Sequence, residues 1–253
     1  MKRQLGLSMI ELLVALAISS FLILGVTQIF IDNKQNYLYQ QGQSENQENG
    51  RFTLMFLERQ LGKAGYRRDP RSDMAIAFPR ITGGQCQFQA GQAVLRVDDN
   101  TLCIRYQPRI ENEMDCTGKV YDGSSDVTLP YADTFNGTDD MVEEYVLDNG
   151  RLTCNGEELV TGIQAGHFDF GVNDQLDAKE IREYKTQPAA DDIVRSLRYS
   201  FLMIATPNNL TRGMSYRACD RDWEAVTGQA PNCEDGKLYQ MVSSSTTLRN
   251  LMP

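Results

Sequence analysis

The sequence predicts an α+β chain in which one long N-terminal helix packs on an antiparallel β-sheet head with disulfide-stabilised loops. Three observations lead there. Residues 9–31 are almost wholly apolar, and no proline interrupts the chain before Pro70. Beyond Asp69 the apolar period falls from the helical 3.6 to the strand value of two. All six cysteines lie in that later part.

The first element is the apolar run in "GLSMIELLVALAISSFLILGVTQIFI", residues 6–31. At ~1.5 Å per residue it is long enough to span a hydrocarbon layer of ~30 Å. Lys2 and Arg3 precede it and Asp32 is the first charge after it. The positive-inside bias therefore leaves the amino end cytoplasmic and sends the bulk of the chain across. No small-residue cleavage site follows the run, so the segment is expected to stay with the protein as a membrane helix. Glu11 stands inside it, although a carboxylate among lipid tails costs about 2.5–3.5 kcal/mol on insertion scales.

The stretch "DNKQNYLYQQGQSENQENG", residues 32–50, is polar and holds two glycines. It reads as a solvated or locally loosened connection. In "RFTLMFLERQLGKAGY" Leu54, Leu57, Leu61 and Ala64 recur at helical spacing, widened by Phe52, Met55 and Phe56. This predicts an amphipathic half-helix, with Gly65 suited to its C-cap and Pro70 barring continuation.

The head follows. Residues 93–97 and 101–106 read as a hairpin across the polar turn Asp98-Asp99-Asn100. "VEEYVLDNGRLTC" reads as a second, turned at Asn149-Gly150. "HFDFGV", "VRSLRYSFLMIA" and "KLYQMVSS" supply further strands, the middle one central.

Net charge is −9, with 25 basic against 34 acidic residues. A phosphate backbone would be repelled on average, so no nucleic-acid partner is expected. His167 is the sole histidine and no C-x-x-C pair occurs, which argues against a metal site. Asp174, Asp177 and Glu180 lack the EF-hand spacing and central glycine. The strand alternation places His167 opposite Phe168 and Phe170, hence exposed. With no nucleophile elbow, P-loop or dinucleotide fingerprint, neither enzymatic chemistry nor a cofactor is expected. Cys86, Cys103, Cys116, Cys154, Cys219 and Cys233 read as disulfides in an oxidising compartment. Connectivity is open from sequence, with a preference for sequence neighbours: Cys86–Cys103, Cys116–Cys154 and Cys219–Cys233. The last pair would close a loop around Trp223, which, if exposed, is a candidate partner contact.

"KRQLG" followed by "LSMIE" and an unbroken apolar helix resembles the prepilin signal of type IV pilins and pseudopilins. The resemblance implies a pilin-like fold, cleavage by a prepilin peptidase between Gly6 and Leu7, and methylation of the new Leu7 amine. It also implies that Glu11 meets the terminal amine of a neighbouring subunit during assembly, the alternative in the free subunit being its own Leu7 amine, which shares a helix face at i and i+4. "NGRFTLMFLERQLGKAGYR", with a cysteine-containing β-domain, resembles the PilW family of type IV pilus minor pilins. By that resemblance the chain comprises a leader (residues 1–6), a transmembrane and filament-core helix (7–31), a connection with the amphipathic half (32–65), and a periplasmic or extracellular head (66–253). It would prime pilus assembly with other minor pilins, stay at or near the tip beside the major pilin and a tip adhesin, and support adhesion and twitching motility. It would begin as a single-pass protein among inner-membrane lipids, head periplasmic, and end at the pilus tip on the cell surface. The alternatives are a J-type minor pseudopilin of type II secretion, a DNA-uptake pilin and an anchored periplasmic enzyme.

Overall fold

The computed structural model describes residues 8–121, 140–175, 177, 179–189, 192–211, 218–228, 233–234 and 236–252. Helix α1 (Met9–Leu61) runs unbroken for 53 residues, about 80 Å at the usual rise. A short α2 (Met74–Ala77) follows, capped by the Asp73 side chain on Ala75 N. Five strands then form one antiparallel sheet in sequence order: β1 (Val94–Arg96), β2 (Thr101–Tyr106), β3 (Met141–Asp148), β4 (Arg151–Cys154) and β5 (Glu157–Thr161). Four more, β6 (Ile163–Asn173), β7 (Glu183–Lys185), β8 (Ile193–Ile204) and β9 (Tyr239–Thr247), form a second sheet ordered β7-β6-β8-β9. A short α3 (Trp223–Thr227) continues from a π-helical turn, Ala218–Asp222, and a 3-10 turn, Arg249–Leu251, ends the described chain.

The α+β class holds, but the head has two sheets where the periodicity suggested one. Gly162 alone separates β5 from β6, at φ +75. A Cβ there would lie 3.0 Å from the Ile204 carbonyl oxygen, so both the backbone angle and the contact demand glycine. The Asn149-Gly150 turn has φ of 50 and 76, the primed geometry that matches strand twist.

The polar middle of α1 departs from its reading as a loosened connection. Gly42, Asn46, Gly50 and Thr53, at spacings of four, four and three, are buried against the head. A Cβ on Gly42 would come within 2.7 Å of Leu210 Cδ1, and one on Gly50 within 2.8 Å of Val242 Cγ1. The glycines are therefore sites of close approach and do not break the helix. Polar side chains complete the seam: Gln35 Nε2 donates to Asn209 O (2.7 Å), Asn46 Nδ2 to Leu238 O (3.0 Å) and Asn49 Nδ2 to Thr161 O (3.3 Å).

Above Gly50 the expected apolar face appears in part: Leu57, Leu61 and Ala64 are buried and Leu54 and Phe56 partly so, but Phe52 and Met55, expected to widen the buried arc, lie on the far side of the helix and stay exposed. Leu57, Leu61 and Ala64 join Leu102, Ile104, Tyr145, Phe168, Phe170, Leu197, Tyr199 and Phe201 in one core shared by both sheets. Phe168 meets Phe201 edge to face at 5.9 Å. After Leu61 the chain tightens through i→i−3 bonds, Lys63 N to Gln60 O and Ala64 N to Leu61 O, and Gly65 then turns away at φ +72.

Candidate assembly surface

Two halves of α1 meet different surroundings. No part of its apolar, membrane-length window is buried; Ile10, Leu13, Phe21, Leu24, Ile29 and Phe30 are all more than half exposed. This surface needs lipid tails or other helices to cover it. Its hydroxyls need nothing: Ser19, Ser20 and Thr27 bond the carbonyls of Ala15, Leu16 and Ile23 at 2.7–2.8 Å, satisfying themselves within the helix. Glu11 sits in the first turn, where the helix dipole favours a carboxylate. Gly6 and Leu7, expected to flank a processing site, lie outside the described residues. Beside the head, the face of α1 turned away from the glycine seam carries Phe52 and Met55, about half exposed, with Phe52 stacked on Phe56 at 5.8 Å.

A buried ionic cluster locks the top of α1 to the head. Glu143 on β3 is fully buried; Oε1 accepts from Tyr106 OH at 2.7 Å and Oε2 from Tyr145 OH. Lys63 Nζ lies 3.7 Å from that carboxylate and 3.8 Å from Glu113, and donates to Met114 O at 3.0 Å. Arg109 grips Glu113 with two bonds of 2.9 and 2.7 Å. Burial pushes the Glu143 carboxyl up against the pull of Lys63, Tyr145 and Tyr106, and burial also lowers the Lys63 ammonium. Glu143 and Lys63 are both buried and satisfied by hydrogen bonds. The cluster is therefore built to hold a geometry.

Arg105 on β2 organises the loop before β1 in the same manner. Its fully buried guanidinium donates to the carbonyls of Gln92, Pro79, Phe78 and Gln89, lies 3.6 Å from Asp140, and stacks over Phe78 and Phe88. Burial draws its pKa down to about 10, so it stays charged at neutral pH. A single arginine thus replaces regular structure across residues 78–92. Its position in an apolar strand, flanked by Ile104 and Tyr106, was the one sequence signal for it.

His167 is a correction. It is 5% exposed, and Nε2 lies 3.0 Å from Asp169 Oδ1. Asp169 also takes two bonds from Arg198, which stacks on Tyr184, and one from Thr186. β7 pairs beside the end of β6, and Thr186 and Tyr184 reach Asp169 and Arg198 near His167, neighbours that strand alternation by itself cannot show. Asp174 is exposed and pairs with Arg182.

The cysteines are joined as Cys86–Cys103, Cys116–Cys154 and Cys219–Cys233. The two carboxylate-and-cysteine clusters that could otherwise suggest a metal, around Glu143 and Glu144, draw on sulfurs already consumed in disulfides. Trp223 is also corrected: at 1% exposure it is no partner contact but a buried anchor, packed with Leu202, Tyr239 and Cys219. Strands β5 and β7 went unread, although the Asn155-Gly156 pair, at φ of 49 and 84, repeats the turn signal that marks the preceding hairpin.

No curated protein sequence matches the chain. Among solved structures, a type IV-like pilin from Thermus thermophilus is similar at a TM-score of 0.47 and 15% identity, over 81% of this chain and 96% of that one. A likeness of that degree leaves the role to the chain's own geometry. The matching family description is confined to the amino end, and there it is direct: residues 1–27 carry the prokaryotic N-terminal methylation motif.

Proposed function

We propose that this chain is a minor pilin that helps to prime type IV pilus assembly and sits at or near the pilus tip with other minor pilins. One observation carries the reading. Behind an N-terminal methylation motif, one continuous helix presents a bare apolar half and then a glycine-faced half fused to a rigid β head. Such a helix can move from lipid into a bundle of like helices without rebuilding the head.

Glu11 supplies the pairing chemistry. Cleavage between Gly6 and Leu7 by a prepilin peptidase leaves a charged, methylated Leu7 amine. A carboxylate about 4 Å from such an amine at an effective dielectric near 20 is attracted by ~4 kcal/mol. That is comparable to the cost of holding Glu11 in lipid. On this reading residues 1–6 are lost as leader, 7–31 enter the membrane and then the filament core, and 66–253 stand outside with the helix end as support. Adhesion and twitching would depend on the head's neighbours: other minor pilins, the major pilin and a tip adhesin.

The test is Glu11→Leu in cells, with crosslinking and mass spectrometry of the intact chain. The variant should insert in the inner membrane, mature normally and lose crosslinks to other pilins. Unchanged pilus numbers and crosslinks would defeat the proposal. Crosslinks of the wild-type chain to secretion-system components instead would move it to the J-type pseudopilins.

A further inference from the structure

The five-stranded sheet ends at β1 in a recessed edge. Arg105 N donates to Ala93 O at 2.9 Å and Val97 N to Thr101 O at 3.0 Å, with Leu95 opposite Cys103 between them. Bonded and non-bonded pairs alternate along an antiparallel ladder. Residues 93, 95 and 97 therefore turn their backbone groups toward β2, while the N–H and C=O of Val94 and Arg96 point away from the sheet. No described residue gives these four groups a partner. Val94 is nevertheless only 3% exposed, and buried backbone groups are ordinarily paired.

The outward groups face a groove of about 790 Å³ that runs along residues 89–98. Phe170, Ile193, Val194, Leu251 and Met252 line it from the second sheet and the C-terminal turn, giving it an apolar wall. Its charges are unevenly used. Asp192 is bound by Lys185 Nζ at 2.9 Å and Arg96 by Asp99. Arg67, which also lines the groove, donates to the Ser72 carbonyl at 2.6 Å and acts on Asp69 only through the longer-range field of its charge.

We propose that this groove takes an extended segment of another polypeptide as an added strand beside β1. That segment is apolar at alternate positions and carries a carboxylate that meets Arg67. The outward backbone groups ask for a backbone, the apolar wall for alternate side chains, and Arg67 for an acid. The recess excludes the edge of a second sheet, and with it a copy of this chain pairing through its own strands, because Val94 lies below the rim. A lone extended segment or tail reaches it. This inference stands apart from the pilus reading and survives its failure.

The experiment uses the full chain in detergent micelles and an octapeptide, fluorescein-labelled at its amino end and amidated at its carboxyl end, alternating valine and threonine and ending in glutamate. A second peptide has the same side chains but N-methylated alternate amides, which cannot pair with an edge. Saturable anisotropy is expected for the first and binding about tenfold weaker or more for the second. Arg96→Pro deletes one outward N–H without touching a bond to β2, so it should weaken binding relative to Arg96→Ala, which keeps that group. Arg67→Gln should weaken the glutamate peptide and spare its glutamine counterpart. Melting curves identify any variant that fails to fold, and the peptide pair needs no variant at all. Absence of saturable binding, or equal binding of the two peptides, would overturn the proposal.

Discussion

Replacing Gly50 by alanine sets two known effects against each other at one atom. Alanine in a helix interior is favoured over glycine by ~0.8–1.0 kcal/mol. Against that, the new Cβ would stand 2.8 Å from Val242 Cγ1, 3.4 Å from Val242 Cγ2 and 3.5 Å from Met203 Cγ. Val242 is β-branched and held in β9, whose partner β8 sets its register through Phe201, so it has little freedom to rotate aside. Overpacking of this kind costs about 1–3 kcal/mol. The sum is a net loss near 1 kcal/mol, or a fall in Tm of about 2–4 °C for a chain of this size. Val242→Ala removes the obstructing methyls. In that background Gly50→Ala should become stabilising by up to ~1 kcal/mol, a coupling of about 2 kcal/mol in the double-mutant cycle. Urea unfolding of the full chain in micelles, read by the fluorescence of Trp223, the sole tryptophan, measures all four corners. If Gly50→Ala stabilises the unmodified chain, or the coupling falls below ~0.3 kcal/mol, helix and sheet do not approach as closely as the seam requires.

Three further outcomes are expected. Replacing Cys219 and Cys233 by serine opens a loop with a separation of 14 residues and should cost about 3 kcal/mol, with red-shifted Trp223 emission as the anchor loosens. Lys63→Met should cost about 3–5 kcal/mol because it strands Glu143 without its counter-charge, and adding Glu143→Gln should recover much of the loss in the same urea assay. The Asp169 carboxyl is pushed up by burial, but Arg198 and His167 outweigh that and hold it below its ordinary value. A carboxylate lowered on folding contributes stability that is full above its unfolded pKa of about 4 and is lost as pH falls through the folded value. Asp169→Asn should therefore flatten the acid limb of a Tm-against-pH curve below about pH 4 while lowering Tm at neutral pH.

How far the sequence reveals this molecule depends on whether side chains or their absence do the packing. At Leu57 and Leu61 and along Phe168, Phe170, Tyr199 and Phe201 periodicity places the element and its buried side, although Phe52 and Met55, read into the same face, stay about half exposed. Between residues 32 and 50 the signal inverts. The helix is buried through Gly42 and Gly50 because they lack side chains, and through Asn46 because its amide can bond a carbonyl of the facing chain. A hydrophobic pattern scores all three as solvent-facing. His167 fails for the related reason that its surroundings are polar: it meets Asp169, which Arg198 and Thr186 also bond, and Arg198 in turn stacks on Tyr184. Glu11 is the converse case: the sequence singles it out, as an acid five residues past Gly6 inside an apolar run, while the folded chain leaves it exposed in the first turn of α1. On the proposed reading that carboxylate finds its counter-charge in the terminal amine of a neighbouring chain. The described head is joined by three disulfides around a core shared by both sheets, whereas the lower half of the helix is bare on every face, and on the proposed reading assembly is what would cover it.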